Sequence, residues 1–469
     1  MKQASTVRRL TAGLLLTSAV IAPLAYSSPR APEPTDQTSD PPRHNIEIDR
    51  SLLITDLGVV EDPVRTDPTT DIPGVWTFRH LIEQMAGNQD PAEFALRWLE
   101  TWEQERMING SLAPARPNIR PLVIDPWLQA SGGQRLDLRK APFKLLAIVS
   151  RIDLREHDQR QAKNAGEGRF IFGVLDESGL PLPPVAGPAP GGFTVIFEYE
   201  MPAETMDELR RWAEDWSDLS RFALGSQEYN AALEAITRRF TDQNAAPDQP
   251  NGSALAQIRT NEIALASPWE LREFVIDDRT GLLRLHPVAL TPDTYAFNGT
   301  ETLAALINAN ERRLLDDAFD LDPQWFGSVS AAGPFQLTEF PDADNRSFTI
   351  TPLAGPFNNI PWSAAGILNN DARHIFALNT CSGCHRDETG TGFLHVGFPE
   401  RHALPNSLAE PAALSGFLTG TEILDPVDGV TPRKFADLER RRQDLEDLLA
   451  SFAQDSAGPN DRHKPTFVH

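Results

Sequence analysis

Apolar residues fall into two rhythms along this chain, one helical and one extended. Phe78, Leu81, Ile82 and Met85 recur at intervals of three and four, and so do Phe94, Trp98 and Trp102 after Pro91. That spacing predicts two helices with one buried face each. The middle of the chain changes rhythm. Phe143–Val149, Arg169–Leu175 and Phe193–Tyr199 are β-branched and aromatic runs that predict strands. Leu180–Gly192 separates the last two and holds five prolines, so it predicts an irregular connection. Asn164–Gly168 matches no phosphate-binding glycine pattern and predicts a plain turn.

Helical spacing then returns. Met206, Leu209, Trp212, Trp216, Leu219 and Phe222 form one stripe, and Tyr229, Leu233, Ile236 and Phe240 a second. Leu271–Ile276 and Leu282–Val288 flank Asp277-Asp278-Arg279-Thr280-Gly281, a hairpin pattern. Leu303, Leu306, Ile307 and Leu314 predict a further helix. Arg373–Thr380 predicts a short amphipathic one. Phe435, Leu438, Leu445, Leu448, Leu449 and Phe452 predict a closing helix, with Arg440, Arg441 and Arg442 turned outward. Strands beside strands with helices inserted between them predict an α+β fold with an antiparallel sheet. The expected organisation is a mixed α+β domain over 45–350, a Pro/Gly-punctuated linker at 351–360, a small mainly helical module at 361–455 and a polar tail at 456–469.

The N-terminus predicts export. Lys2, Arg8 and Arg9 precede an apolar stretch from Leu10 to Leu24, and Ala25-Tyr26-Ser27 offers small residues for cleavage, so 1–27 reads as a signal peptide. Residues 28–44 are polar and Pro-rich and read as a disordered tether. No later segment approaches a membrane-spanning length, so a periplasmic or secreted protein without stable membrane insertion is expected. Beyond residue 27 the chain carries 40 basic against 66 acidic residues, a net charge of −26. Such a surface repels nucleic acid and favours a basic protein partner or an uncharged small molecule.

The chemistry concentrates in one place. The chain has two cysteines, and both lie in Cys381-Ser382-Gly383-Cys384-His385. Cys-x-x-Cys-His is the attachment sequence of c-type haem: two thiols add across the porphyrin vinyl groups and the adjacent imidazole binds the iron. A disulfide or redox dithiol uses the same cysteine spacing, and a zinc site would need further soft ligands. The haem reading therefore expects one covalent haem c, with Cys381 and Cys384 as thioethers and His385 as metal ligand. All five methionines (Met1, Met85, Met107, Met201 and Met206) precede the motif, so a methionine from the module itself cannot complete the iron's coordination. His395, in an apolar aromatic stretch, is the expected distal ligand. His402, His374, His463 and His469 are alternatives, and so is an open sixth position. Arg386 is the expected partner of a haem carboxylate.

A helix before the motif and a closing helix after it resemble the frame of small c-type cytochromes over roughly 360–455. That resemblance implies a cytochrome c-like module walled by the two helices. The segments Ile148–Arg155, Gly166–Phe170, Gln257–Glu262 and Leu378–Cys381 together resemble a family of exported bacterial proteins with one late Cys-x-x-Cys-His. That likeness spans most of the mature chain and implies no activity. The expected function is one-electron transfer in the periplasm with a redox partner protein, a basic one by charge complementarity. An open-coordinate, peroxidase-like haem enzyme and a haem-based sensor are the alternatives.

Overall fold

The fold is organised around one antiparallel sheet. The computed structural model describes residues 46–158, 161–183, 192–332, 335–340, 347–352, 361–386, 388–399 and 410–453. The expected signal peptide, tether and polar tail, and residues 353–360 of the expected linker, lie outside the described residues, as do His402, His463 and His469. The strands are β1 (Leu53–Ile54), β2 (Phe143–Arg151), β3 (Glu156–His157), β4 (Ala162–Val174), β5 (Thr194–Pro202), β6 (Leu255–Asn261), β7 (Glu273–Ile276) and β8 (Leu283–His286). They pair in the order β1-β2-β4-β5-β6-β7-β8, with β3 added beside β4, and every pairing is antiparallel. The α+β class with an antiparallel sheet is therefore what the chain adopts.

Both faces of the sheet are covered, and they differ in chemistry. Alternation sends Phe170, Phe172, Phe197, Tyr199, Ile258 and Phe274 to one side, where they join the main core. Helices α1 (Phe78–Met85), α2 (Pro91–Leu99), α3 (Met206–Asp218) and α4 (Gln227–Thr241) deliver Phe78, Trp98, Trp212 and Phe240 to the same core. Each such side chain contributes about 1.5–3 kcal/mol by leaving water. The other face carries Val149, Arg151, Arg169, Ile171, Ile196, Glu198, Arg259 and Asn261. The register explains this set: Arg169 is opposite Glu198, Ile196 opposite Arg259, and Arg259 opposite Glu273. That polar face is buried too, with Arg151, Arg169, Glu198 and Arg259 all at 5% exposure or less.

Three expectations change in the structure. Asn164–Gly168 is not a separate turn but a bulge inside β4, where the register against β5 shifts between Asn164 and Glu167. Gly166 adopts φ +88°, and a Cβ there would meet the Arg151 carbonyl oxygen at 2.2 Å, so the bulge needs glycine. The helix expected over 303–314 is broken into α5 (Glu301–Ala309) and α6 (Glu311–Leu315). The third concerns the closing helix, here α9 (Asp437–Ala453). Its Leu438, Leu445, Leu448 and Leu449 are buried as expected, but Arg441 is buried with them at 2% exposure rather than turned outward. Positions 438, 441, 445 and 448 share one helical face, so the apolar stripe carries a cation at its centre.

The helix before the motif, α7 (Asn370–Leu378), buries Ala372, Phe376 and Ala377 against Leu303, Ile307, Leu314 and Trp362. Leu445, Leu448 and Leu449 of α9 instead join the main core. The two helices expected to cross over a porphyrin thus bury their apolar faces in different clusters. All described residues belong to one compact unit, so both sides of the expected 351–360 boundary can build the same site. Among the described residues no helix is long and apolar enough to cross a membrane.

Candidate functional site

The Cys-x-x-Cys segment is a single helical turn, α8 (Cys381–Cys384), started by Thr380, whose hydroxyl accepts from the Gly383 N–H at 3.1 Å. Gly383 is required by packing: a Cβ there would lie 2.1 Å from the Ala377 carbonyl oxygen. The turn is tied down on every side. The Cys381 N–H donates to Thr291 Oγ1 at 3.0 Å, Trp362 Nε1 donates to Ser382 Oγ at 3.2 Å, and the Thr389 hydroxyl donates to the Cys384 carbonyl. Both thiols are free and fully buried. Cys381 packs with Trp269, Leu271 and Phe393, and Cys384 with Leu53, Val149, Ile171, Val396 and Leu418.

His385 has a defined tautomer. Its Nδ1 lies 2.8 Å from the Phe393 carbonyl oxygen, which can only accept, so Nδ1 carries the proton and Nε2 keeps its lone pair. Phe393 returns a bond from its own N–H to the His385 carbonyl at 3.0 Å. It reaches this geometry at φ +71°, in the left-handed region that a bulky residue seldom occupies. Burial pushes the His385 imidazolium down to about 4, against the helping carbonyl, so the ring is neutral at physiological pH. Burial also holds the His395 imidazole well below the ordinary histidine range, with His385 and the arginines Arg441 and Arg151 adding to the effect. Two neutral imidazoles in a buried site are what metal ligation requires.

His385 and His395 line a cavity between the polar sheet face and the C-terminal segment. The space it encloses, together with the part open to solvent, is about 580 Å³. Leu53, Val149, Ile171, Ile196, Leu271, Val396 and Leu418 supply its apolar walls. The cysteines pack against members of both wall clusters. The remaining walls are charged: Arg151, Arg169, Glu198, Arg259 and Arg441 all face in. None of these was singled out from the sequence as a site residue. Arg151, Arg169 and Arg259 lie on β2, β4 and β6. The period-2 alternation of β2, β4 and β6 is the signal that would have put these cations on one face.

The other expected residues are placed less simply. His395 stands beside His385 with ring centres 4.4 Å apart, and its Nε2 is 3.5 Å from Cys384 Sγ. Two imidazoles on opposite sides of one metal, with bonds of about 2 Å each, have ring centres roughly 6 Å apart. His395 therefore occupies the cavity wall at contact distance from His385, anchored by a 2.9 Å contact of Nδ1 with Ser415 Oγ. Arg386 lies with its guanidinium 4.8 Å above the Phe393 ring and is not among the residues lining the cavity. Among those lining residues there is no methionine; Met85 and Met201 are buried in the core on the opposite face of the sheet.

His374 belongs to a separate buried network. Its Nδ1 bonds Glu388, and Glu388 receives both arms of Arg373 at 2.7 and 2.8 Å. Arg373 also donates to Asp425 at 2.9 Å, and Asp425 takes two further bonds from Arg433 at 2.9 and 2.8 Å. The ligand atoms of His374, Glu388 and Asp425 come within 4.8 Å of one another, the spacing a metal ion would use. Two guanidiniums already neutralise those carboxylates, so the cluster is an ion-pair lock across the motif. It ties the helix before Cys381 to Glu388 just after His385.

The thiols have a chemical consequence. Burial pushes Cys381 up to about 11 and raises Cys384 further above the ordinary thiol range. At pH 8 a thiol of that pKa is ionised to roughly one part in a thousand, against about a quarter for an exposed cysteine. Iodoacetamide is therefore expected to label the folded apoprotein at least about 100-fold more slowly than the same chain in urea. Equal rates measured by mass spectrometry would contradict this closed arrangement. Comparison with known proteins returns no match: no family model, no curated protein and no solved structure is similar to this chain.

Proposed function

We propose that this is an exported c-type haem protein that exchanges single electrons through one covalent haem. The observation that carries the reading is the bond from His385 Nδ1 to the Phe393 carbonyl, which leaves Nε2 as a neutral donor beside two cysteines and an apolar, cation-rimmed cavity. The donor set fits the group: two thiols on one turn for the vinyl carbons, one imidazole of fixed tautomer for the iron, and guanidiniums for the carboxylates. When bound, haem supplies an iron that cycles between ferrous and ferric states. The chain holds the imidazole, excludes water and neutralises the carboxylates. A cytochrome c-like module is the finer proposal for this segment, with the attachment turn as its supporting feature. Export, as the N-terminal segment implies, delivers the motif to the compartment where such attachment takes place. The acidic surface favours a basic redox partner.

A specific observation favours a second reading. The 4.4 Å spacing of His385 and His395 leaves no gap for an iron between them, and no methionine lines the cavity. If the wall keeps that position, the iron has an open sixth site, as in haem enzymes that bind small ligands. Expression with a haem-c maturation system tests both. The mature chain is expected to gain the mass of one haem and to give a thioether-type pyridine haemochrome spectrum. A high-spin ferric signal with carbon monoxide binding to the ferrous form selects the open site. A low-spin signal without carbon monoxide binding selects His395 as axial ligand. A colourless product with two free thiols sinks the haem reading.

A further inference from the structure

A second opening lies across one short strand from the attachment turn. Trp269–Leu271 pairs with Ser330–Ala332, and alternation sends its side chains to opposite faces. Trp269 and Leu271 pack with Cys381 and Phe393, and the Trp269 ring centre is 5.3 Å from that of His385. Leu271 also lines the cavity of His385 and His395. Glu270, between the two, lines a different cleft of about 650 Å³. One strand therefore walls both spaces. The size of the cleft suits a small molecule, whose sites measure about 300–1,000 Å³.

The cleft is apolar at its rim and electrically neutral where charges line it as a pair. Met107 and Leu112 sit opposite each other on the hairpin of Arg106–Ile108 and Ser111–Ala113, and are 65% and 49% exposed. Asn109 pins the hairpin tip, its Nδ2 donating to the carbonyls of Pro323 and Phe326 at 3.1 and 2.8 Å. Ala296 and Val329 extend the apolar wall. Arg116 lines the cleft too, but it pairs with Glu270 at 2.6 Å and donates to the carbonyls of Ala266 and Pro268. Glu270 receives Arg272 at 2.9 Å, and Arg272 pairs with Glu262 at 2.6 Å. Two buried guanidiniums thus meet two buried carboxylates, and the network offers a ligand no net charge.

Asp293 is the exception among the lining residues. Its Oδ1 accepts from the Ala296 N–H at 2.8 Å, and among the described residues its Oδ2 takes no hydrogen bond. A carboxylate oxygen only accepts, so it selects a ligand that brings a donor. The acidic surface repels anionic electron carriers.

We infer that this cleft binds a hydroquinone, with its ring against the apolar rim and a hydroxyl on Asp293. The inference rests on the haem reading above and names the electron donor for that site. Oxidation of a hydroquinone to the quinone releases two electrons and two protons. The electrons cross the Trp269 strand one at a time and pass on to the redox partner protein, which is the oxidant. The protons pass to Asp293 and then to solvent. Both forms of the donor are uncharged, as the neutral wall requires.

The probe is 1,4-dihydroxynaphthalene, titrated calorimetrically under argon. It is tested on the full chain loaded with haem and on the haem-free Cys381→Ala/Cys384→Ala chain. Each is expected to bind one molecule with similar affinity. Ala296→Trp fills the cleft from an exposed position, and Leu112→Asp puts a charge on its rim. Each should weaken binding at least about tenfold without changing haem content. 1,4-Dimethoxynaphthalene has no hydroxyl to donate and should bind wild type about tenfold more weakly, whereas Asp293→Ala should bind the two compounds alike. In stopped flow the dihydroxy compound should reduce the haem-loaded wild type at least about tenfold faster than Ala296→Trp, while dithionite reduces both alike. No saturable binding by wild type, or binding that Ala296→Trp and Leu112→Asp leave unchanged, overturns the inference and leaves the haem reading standing. Equal affinity for the dimethoxy compound, or tighter binding of 1-naphthylmethylammonium, overturns the hydroquinone class. Binding by a wild-type chain that matures without haem upholds the site but overturns the haem reading, and with it electron delivery from the cleft.

Discussion

Replacing Cys381 and Cys384 together by alanine is expected to abolish covalent haem while leaving a folded protein. The loss should be complete on the proposed reading, because the chain contains no other sulfur nucleophile at that site and no other cysteine. What makes the experiment decisive is the small structural cost. Each substitution removes one buried sulfur from a wall of apolar neighbours, a change worth about 1–2 kcal/mol per site rather than a collapse of the fold. The turn itself is held by Thr380, Gly383, Ser382 and the Cys381 N–H, none of which depends on the thiols. A double variant with wild-type circular dichroism, a slightly lower urea midpoint and no haemochrome band is the expected result. Retention of a spectrally unchanged, non-extractable haem would show that attachment lies elsewhere. His385→Ala separates the roles further: thioethers still form, but the ferric spectrum should lose its histidine-ligated character.

The sequence exposes some layers of this arrangement and hides others for physical reasons. Local periodicity carries far, since Phe143–Val149, Arg169–Val174 and Thr194–Tyr199 all lie in strands and the Asp277–Gly281 turn joins β7 to β8 in register, Ile276 opposite Leu283. The Cys381–His385 run is legible because its five residues are adjacent in the chain. The charged wall is not, because it is assembled from alternate residues of strands far apart in the chain. Arg151, Arg169, Arg259 and Arg441 become neighbours only through the pairing order β2-β4-β5-β6 and the docking of α9. Arg441 illustrates the difficulty. Charge suggests an outward position, and only its spacing from Leu438, Leu445 and Leu448 points inward. His395 shows the converse limit: residue type and apolar setting single it out as a distal ligand, whereas its place on the cavity wall 4.4 Å from His385 is a tertiary fact.

The largest stability effect is expected from Arg373→Met. Arg373 is 1% exposed and bridges Glu388 and Asp425, which are 1% and 0% exposed. Methionine fills much of the space but leaves Glu388 without either of its guanidinium bonds. Removing one partner of a buried pair costs about 3–5 kcal/mol, because the desolvated charge that remains has lost its compensation. Arg433 still holds Asp425, so Arg433→Met, with its side chain 11% exposed, should cost less. The pH dependence separates charge from packing. The hydrogen bonds from Val427 and Arg433, together with the charge of Arg373, hold the Asp425 carboxyl below its ordinary 3.8 despite burial. A depressed carboxylate contributes stability above the unfolded value and loses it as pH falls through the folded one. In Arg373→Met that contribution shrinks, so the gap between variant and wild type in urea unfolding should stay wide from pH 7 down to about pH 4 and narrow only as the pH falls further and Asp425 protonates. A gap that stays constant through that further fall would mean that Arg373 acts through volume alone. Adding Glu388→Gln to Arg373→Met should recover part of the loss, since the amide carries no charge to leave unpaired. The same variants report on function, because the lock joins the helix before Cys381 to the residue three places after His385. Haem incorporation should fall with Arg373→Met and return with the double variant, which ties the electrostatics of this network to the competence of the attachment turn.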